Sequence, residues 1–114
     1  CFSQSNDPAG NWNVYELPGN PLNNSSWFDY PHIGISENDL FITGNLFSNS
    51  GQFNQSIVFQ MDKSAGYAGF SNVPLNTYNN IPGGSIGSFS LVPVGYGQNG
   101  EYGQGIYLVR SRSG

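Results

Sequence analysis

Apolar positions in this chain recur every second residue or in short unbroken runs, and nowhere hold helical spacing beyond about two turns. From Trp12 to Leu17 the residues alternate, which puts Trp12, Val14 and Glu16 on one face of a strand and Asn13, Tyr15 and Leu17 on the other. Pro18-Gly19-Asn20-Pro21 ends that strand. A short run from His32 to Ile35 follows Pro31, and a longer strand is predicted over Asp39–Phe47. Ser48-Asn49-Ser50-Gly51 reads as a hairpin loop, returning through Gln55–Met61. Phe89–Val94 and Gly105–Arg110 form a further predicted pair across the loop Gly95–Gly103. One helical turn is expected over Asp62–Ala68, limited by Gly66. Cys1 and Phe2 read as the end of a strand.

The order strand, turn, strand predicts an all-β chain of antiparallel sheets. Ile57-Val58-Phe59 and Ile106-Tyr107-Leu108-Val109 are unbroken apolar runs, as in strands covered on both faces. A small β-sandwich supplies such cover, and so does a β-propeller, whose four-stranded blades pack between neighbours. Weak self-similarity favours the propeller. Residues 31–35 and 39–43 align with 89–94 and 105–109 at offsets of 58 and about 66 residues, which fits a blade with long loops.

Composition removes several function classes. Lys+Arg number 3 against 7 Asp+Glu, for a formal charge of −4, and no basic cluster exists to meet phosphates, so nucleic acid is not an expected partner. No apolar stretch reaches the roughly 18 residues of a transmembrane segment. Aromatic content of 15% separates the chain from disordered Gly/Ser-rich sequence. A single cysteine, Cys1, excludes an internal disulfide and a cysteine-based zinc site. Low Lys with abundant Asn, Ser and Tyr fits an extracellular or cell-surface protein. Cys1 at position 1 fits either a lipidated, processed N-terminus or a segment of a longer chain, and the strand-like Cys1-Phe2 favours the segment.

The most specific local motif is Ser5-Asn6-Asp7-Pro8-Ala9-Gly10-Asn11-Trp12. A carboxylate at Asp7 can accept backbone N–H groups across the turn while the Trp12 ring covers the hairpin base. The segment resembles the Asp-box of sialidase-like propellers, with Ser5, Asp7 and Trp12 matching, Ala9 at the small-residue position and Asn11 in place of the usual Thr. The box is a structural staple in that family. The order Asp-Pro-x-Gly-x-Trp, then Trp27 to Gly34 containing Asp29-Tyr30-Pro31, then Phe41-Ile42-Thr43-Gly44-Asn45, is similar to secreted bacterial propeller proteins. The resemblance implies about two blades: residues 1–28 ending one, 29–80 forming the next and 81–114 beginning a third.

Candidate chemistry is sparse. His32 is the only histidine, and with Asp29 three residues away it does not make a metal site. Glu37 and Asp39 sit in a turn-like stretch, and Asp62 with Glu101 is the other carboxylate pairing. Arg110 and Arg112 cannot form the arginine cluster that sialidases need, and no Gly-x-Ser-x-Gly elbow occurs. Gly83-Gly84-Ser85-Ile86-Gly87 reads as a linker rather than a phosphate loop. The expectation is a non-enzymatic scaffold or binding module without cofactor or metal. The alternative is part of a sialidase-like glycoside hydrolase with its catalytic residues outside these positions. Trp27, Tyr30, Tyr67, Tyr78, Tyr96 and Tyr102, expected in or beside turns, are rings that stack on neutral sugars. The expected ligand is a neutral glycan or surface polysaccharide met from Ser25–Pro31 and Gly95–Gly103, with Trp27, Asp29, Tyr30, His32, Tyr96 and Tyr102 as contact residues. The other expected partners are the remaining blades of a parent chain, or further copies of this one through exposed sheet faces.

Overall fold

A computed structural model describes residues 1–82, 89–95 and 102–110. The chain is all-β, and the described residues form three antiparallel sheets and one helical turn. At its centre, β3 (Ser26–Ile35), β4 (Asp39–Ser48), β5 (Phe53–Asp62) and β6 (Leu75–Tyr78) form a four-stranded sheet in chain order. β1 (Phe2–Ser3) pairs with β2 (Trp12–Asn13), and β7 (Val92–Pro93) pairs with β8 (Leu108–Val109). The helical turn α1 (Lys63–Tyr67) follows β5.

Period-two alternation gives the central sheet two different faces, and each carries one of the small hairpins. Gly44, Leu46, Ile57, Phe59 and Met61 look toward the N-terminal segment, where Phe2, Tyr15, Leu17 and Leu22 cover them. Phe41, Thr43, Asn45, Ser56 and Val58 look toward the C-terminal segment, meeting Ile81, Leu91, Ile106 and Leu108. The unbroken run Ile57-Val58-Phe59 is therefore buried on both sides.

Close approach of the layers depends on two glycines. A β-carbon at Gly34 would lie 2.4 Å from both Pro93 Cβ and Ile106 Cδ1, so only glycine lets the β7–β8 hairpin lie against β3. At Gly66, in α1, it would lie 2.5 Å from the Phe2 ring. Asp62 caps α1, its Oδ1 accepting from Ala65 N at 2.7 Å and from Ser64 Oγ at 2.6 Å.

Several expected elements differ in extent. The alternation from Trp12 to Leu17 is present as exposed Trp12, Val14 and Glu16 against half-buried Asn13, Tyr15 and Leu17, but only Trp12–Asn13 is paired. β7 and β8 are two residues each, shorter than the predicted pair. β6 was not expected, since Leu-Asn-Thr-Tyr lacks an apolar alternation and its four residues are all exposed. β3 begins at Ser26, so Trp27 and Tyr30 lie on a strand and not in a loop. Pro31 is accommodated because the register slips between Asp29 and His32, where Tyr30 and Pro31 together oppose Gly44. The linker reading of Gly83–Gly87 lies outside the described residues.

Candidate functional site

The Asp7 hairpin is held by its own side chains. Ser5 Oγ accepts from Asp7 N at 3.2 Å, Asp7 Oδ1 accepts from Ala9 N at 2.9 Å, and Trp12 Nε1 donates to Pro8 O at 3.2 Å. These bonds serve the turn and leave the residues exposed on the outer side of the β1–β2 hairpin. The inner side binds the body of the molecule: Asn13 Nδ2 and Tyr15 Oη both donate to Gly66 O.

The edge strand β3 carries the exposed aromatic and polar groups. Trp27 lies opposite Phe47, with ring centroids 5.5 Å apart, and its Nε1 donates to Ser48 O at 3.2 Å. Phe47, Phe53 and Phe89 continue the cluster behind it. Three residues along, Tyr30 has φ +59, a left-handed conformation that a bulky side chain seldom adopts. Asp29 Oδ1 accepts from Tyr30 N at 2.7 Å and so fixes the bulge. The Tyr30 ring stands 62% exposed, 6.1 Å from the ring of His32. Trp27 is thus fixed by its indole bond and Tyr30 by the bulge.

Tyr102 is not part of this group. It lies at the far end of β3, where Glu37 N donates to Gly103 O and Lys63 Nζ sits 5.6 Å from the Tyr102 ring centroid. The ten residues of β3 place Trp27 and this turn about 30 Å apart. Tyr96 lies outside the described residues. Tyr78 is on β6, donating its hydroxyl to Gln60 Oε1 at 2.6 Å, and Tyr67 packs edge-on against Phe2.

The aspartate carboxylates are occupied with structure. Asp39 Oδ2 accepts from Gln60 Nε2, and Ser36 Oγ accepts from Asp39 N, so the Ser36–Asp39 stretch is a turn that closes on itself. Glu101 and Arg112 lie outside the described residues. Among the described residues no three His, Cys, Asp and Glu side chains converge. An apolar cleft of about 420 Å³ opens between β5–β6 and the C-terminal segment, lined by Phe41, Val58, Tyr78, Ile81, Ile106 and Leu108. The bulge at Tyr30 is the feature that sequence reading missed, because a Tyr-Pro pair signals a strand break and gives no hint that the ladder resumes at His32.

Comparison with known proteins finds no matching family model, no matching curated protein and no matching solved structure.

Proposed function

We propose that this chain is a non-catalytic binding module, built as a segment of a β-propeller from an exported bacterial protein, and that it takes a neutral glycan along the edge of β3. Support for the propeller reading comes from the layering: a four-stranded sheet in chain order lies between two half-sheets, one before it in sequence and one after. One blade is then the sheet from Ser26 to Tyr78, starting three residues ahead of the 29–80 bounds read from the sequence, with the residues before it closing the preceding blade and 81–114 opening the following one.

The glycan reading rests on Tyr30. Glycine would hold this left-handed position of the bulge without steric cost, so an exposed tyrosine there is a costly choice of residue, and such outliers gather at ligand sites. Trp27 and Tyr30 supply apolar ring faces, while Asp29 and His32 supply polar groups beside them. Low charge around the strand favours a neutral ligand. Binding to neutral polysaccharides is read by affinity-gel retardation or a glycan array. Trp27→Ala with Tyr30→Ala should abolish retardation, and Tyr102→Ala, about 30 Å away, should leave it unchanged. Retardation that survives the double substitution overturns the site.

A further inference from the structure

Three cross-strand pairs on one face of the central sheet link β3 to the C-terminal segment. Trp27 pairs with Phe47, Asp29 with Asn45 and His32 with Thr43. Residues directly opposite in a ladder project from the same face, their β-carbons about 5 Å apart. Each β4 member of these pairs meets the next residue of the stretch 89–91. The Phe47 ring lies 6.4 Å from that of Phe89. Asn45 Nδ2 donates to Ser90 Oγ at 3.1 Å while Asn45 Oδ1 accepts from Ser90 N at 3.0 Å. Thr43 Oγ1 donates to Leu91 O at 2.6 Å. Residues 89–91 therefore run alongside residues 27–32, with β4 side chains between them.

The two sides share a local device. Tyr30 at φ +59 and Ser90 at φ +53 are both left-handed, and each N–H is held by a side-chain oxygen, Asp29 Oδ1 for Tyr30 and Asn45 Oδ1 for Ser90. Asp29 and Asn45 are themselves cross-strand partners, so the two strained positions stand on either side of a single pair.

The hydrogen-bonding capacity left over is complementary. Asp29 commits Oδ1 to Tyr30 N, and among the described residues its Oδ2 accepts nothing. Ser90 Oγ accepts from Asn45 Nδ2, and among the described residues its own proton has no acceptor. Asp29 and Ser90 are both half-buried. An acceptor and a donor so placed are costly to leave without water or a ligand.

We infer that the ligand site at Tyr30 continues across Asp29 and Asn45 to Ser90, where one sugar unit donates a hydroxyl to Asp29 Oδ2 and accepts from Ser90 Oγ. Ser90 is then a specificity-determining residue, and the C-terminal segment supplies one wall of the site. The inference rests on the glycan reading proposed above and narrows it. A carboxylate only accepts, so the ligand must bring a donor to Asp29. A free hydroxyl fits; an O-acylated or sulfated position, or the carboxylate of a uronic acid, does not.

Chemical-shift mapping on the 114-residue chain tests it, with neutral hexasaccharides of glucose, mannose, galactose and xylose as probes. At least one probe should move the Ser90 N–H and the Asn45 side-chain NH2 together with Trp27 and Tyr30, at one common affinity. Asp29→Asn keeps an oxygen for Tyr30 N but turns the free Oδ2 into a donor, and should weaken that affinity roughly ten- to a hundredfold. Ser90→Gly removes the hydroxyl at a backbone angle that glycine accepts, and should weaken it about fivefold. Both losses should shrink against the matching monodeoxy probe, which mere loosening of residues 89–95 would not produce. If Ser90→Gly does loosen that segment, the shift map of the parent chain decides. Shifts confined to Trp27 and Tyr30, or an unaltered affinity in either folded variant, would overturn the extension to Ser90 and leave the glycan reading standing. No shift with any probe would remove the reading and the extension together.

Discussion

The two faces of the central sheet solve the same problem by different means. Toward the N-terminal segment the contact is almost wholly apolar: Leu46, Ile57 and Phe59 are fully buried, and Met61, Ala65 and Val73 extend the cluster around Phe2. Toward the C-terminal segment, Phe41, Val58 and Leu91 share the contact with a buried polar network. Thr43 Oγ1 donates to Leu91 O at 2.6 Å, Asn45 Nδ2 donates to Ser90 Oγ at 3.1 Å, and Asn45 Oδ1 accepts from Ser56 Oγ and Ser90 N. Apolar burial is strong but tolerant of sliding, whereas directional bonds fix one register. The first face supplies stability and the second supplies alignment.

The largest expected effect removes the apolar side of that contrast. Phe59 is completely buried and packs against Phe28 with centroids 5.5 Å apart. Phe59→Ala should cost about 4 kcal/mol, read as a fall in the urea midpoint with the slope unchanged. A loss below about 1 kcal/mol would mean that the N-terminal cover is not formed in solution.

On the polar face, Asn45→Ala takes the Oδ1 acceptor away from the buried Ser56 hydroxyl and the half-buried Ser90 N–H, at about 1–3 kcal/mol. Its signature is local. Amide exchange should quicken in residues 89–95 and 102–110 and stay unchanged in β1–β2, whereas Phe59→Ala should quicken exchange throughout. Equal effects on both hairpins would erase the distinction between the faces.

Gly34→Ala tests the same contact by shape alone. The added methyl meets Pro93 and Ile106 at 2.4 Å, both in the C-terminal segment, so the hairpin must move or bend, costing about 1–3 kcal/mol. Exchange in β7 and β8 is again the readout, and protection there equal to the parent would show that the hairpin stands further from β3.

Strands β4 and β5 were legible in the sequence because their core positions are Ile, Val, Leu, Phe and Met with a turn of Ser, Asn and Gly between them. α1 was legible as a single helical turn within Asp62–Ala68, although Gly66, expected to limit it, lies inside the turn, which runs on to Tyr67. β6 was not, because its four exposed residues are fixed by pairing with β5 and not by their own burial. The structure brings together only some of the candidate residues. Trp27, Asp29, Tyr30 and His32 do share β3, but Tyr102 is about 30 Å off, since a loop's path across the sheet is set by tertiary packing and leaves no local pattern.

Tyr30 separates stability from binding at the edge of the sheet. Glycine tolerates φ +59 without the penalty a β-carbon brings, so Tyr30→Gly should leave stability within about 1 kcal/mol of the parent, on the stabilising side. Glycan retardation should nevertheless be lost with the ring. A marked destabilisation would show that Tyr30 is a structural residue, and the site would then lose its carrying observation.

The smallest effect is a pH dependence confined to the apolar side, where Asp62 anchors α1 beneath Phe2. The Ser64 hydroxyl, followed by the Ala65 N–H, stabilises the ionised carboxylate and holds its pKa below the ordinary value. A depressed folded pKa means that the unfolded chain takes up the proton first as pH falls. The cap's contribution is therefore complete above the usual carboxylate range and disappears as pH drops through the folded value. Loss of the cap loosens α1, whose Gly66 carbonyl holds Asn13 and Tyr15, so amide exchange should rise first at Ala65 and next in β2. Asp62→Asn keeps an acceptor for the Ala65 N–H without a titrating charge, and should flatten the acid limb of stability against pH. Identical acid limbs for the parent and Asp62→Asn would show that the cap contributes nothing through its charge. Exchange rising first in β7 and β8 would move the acid-sensitive contact to the polar face.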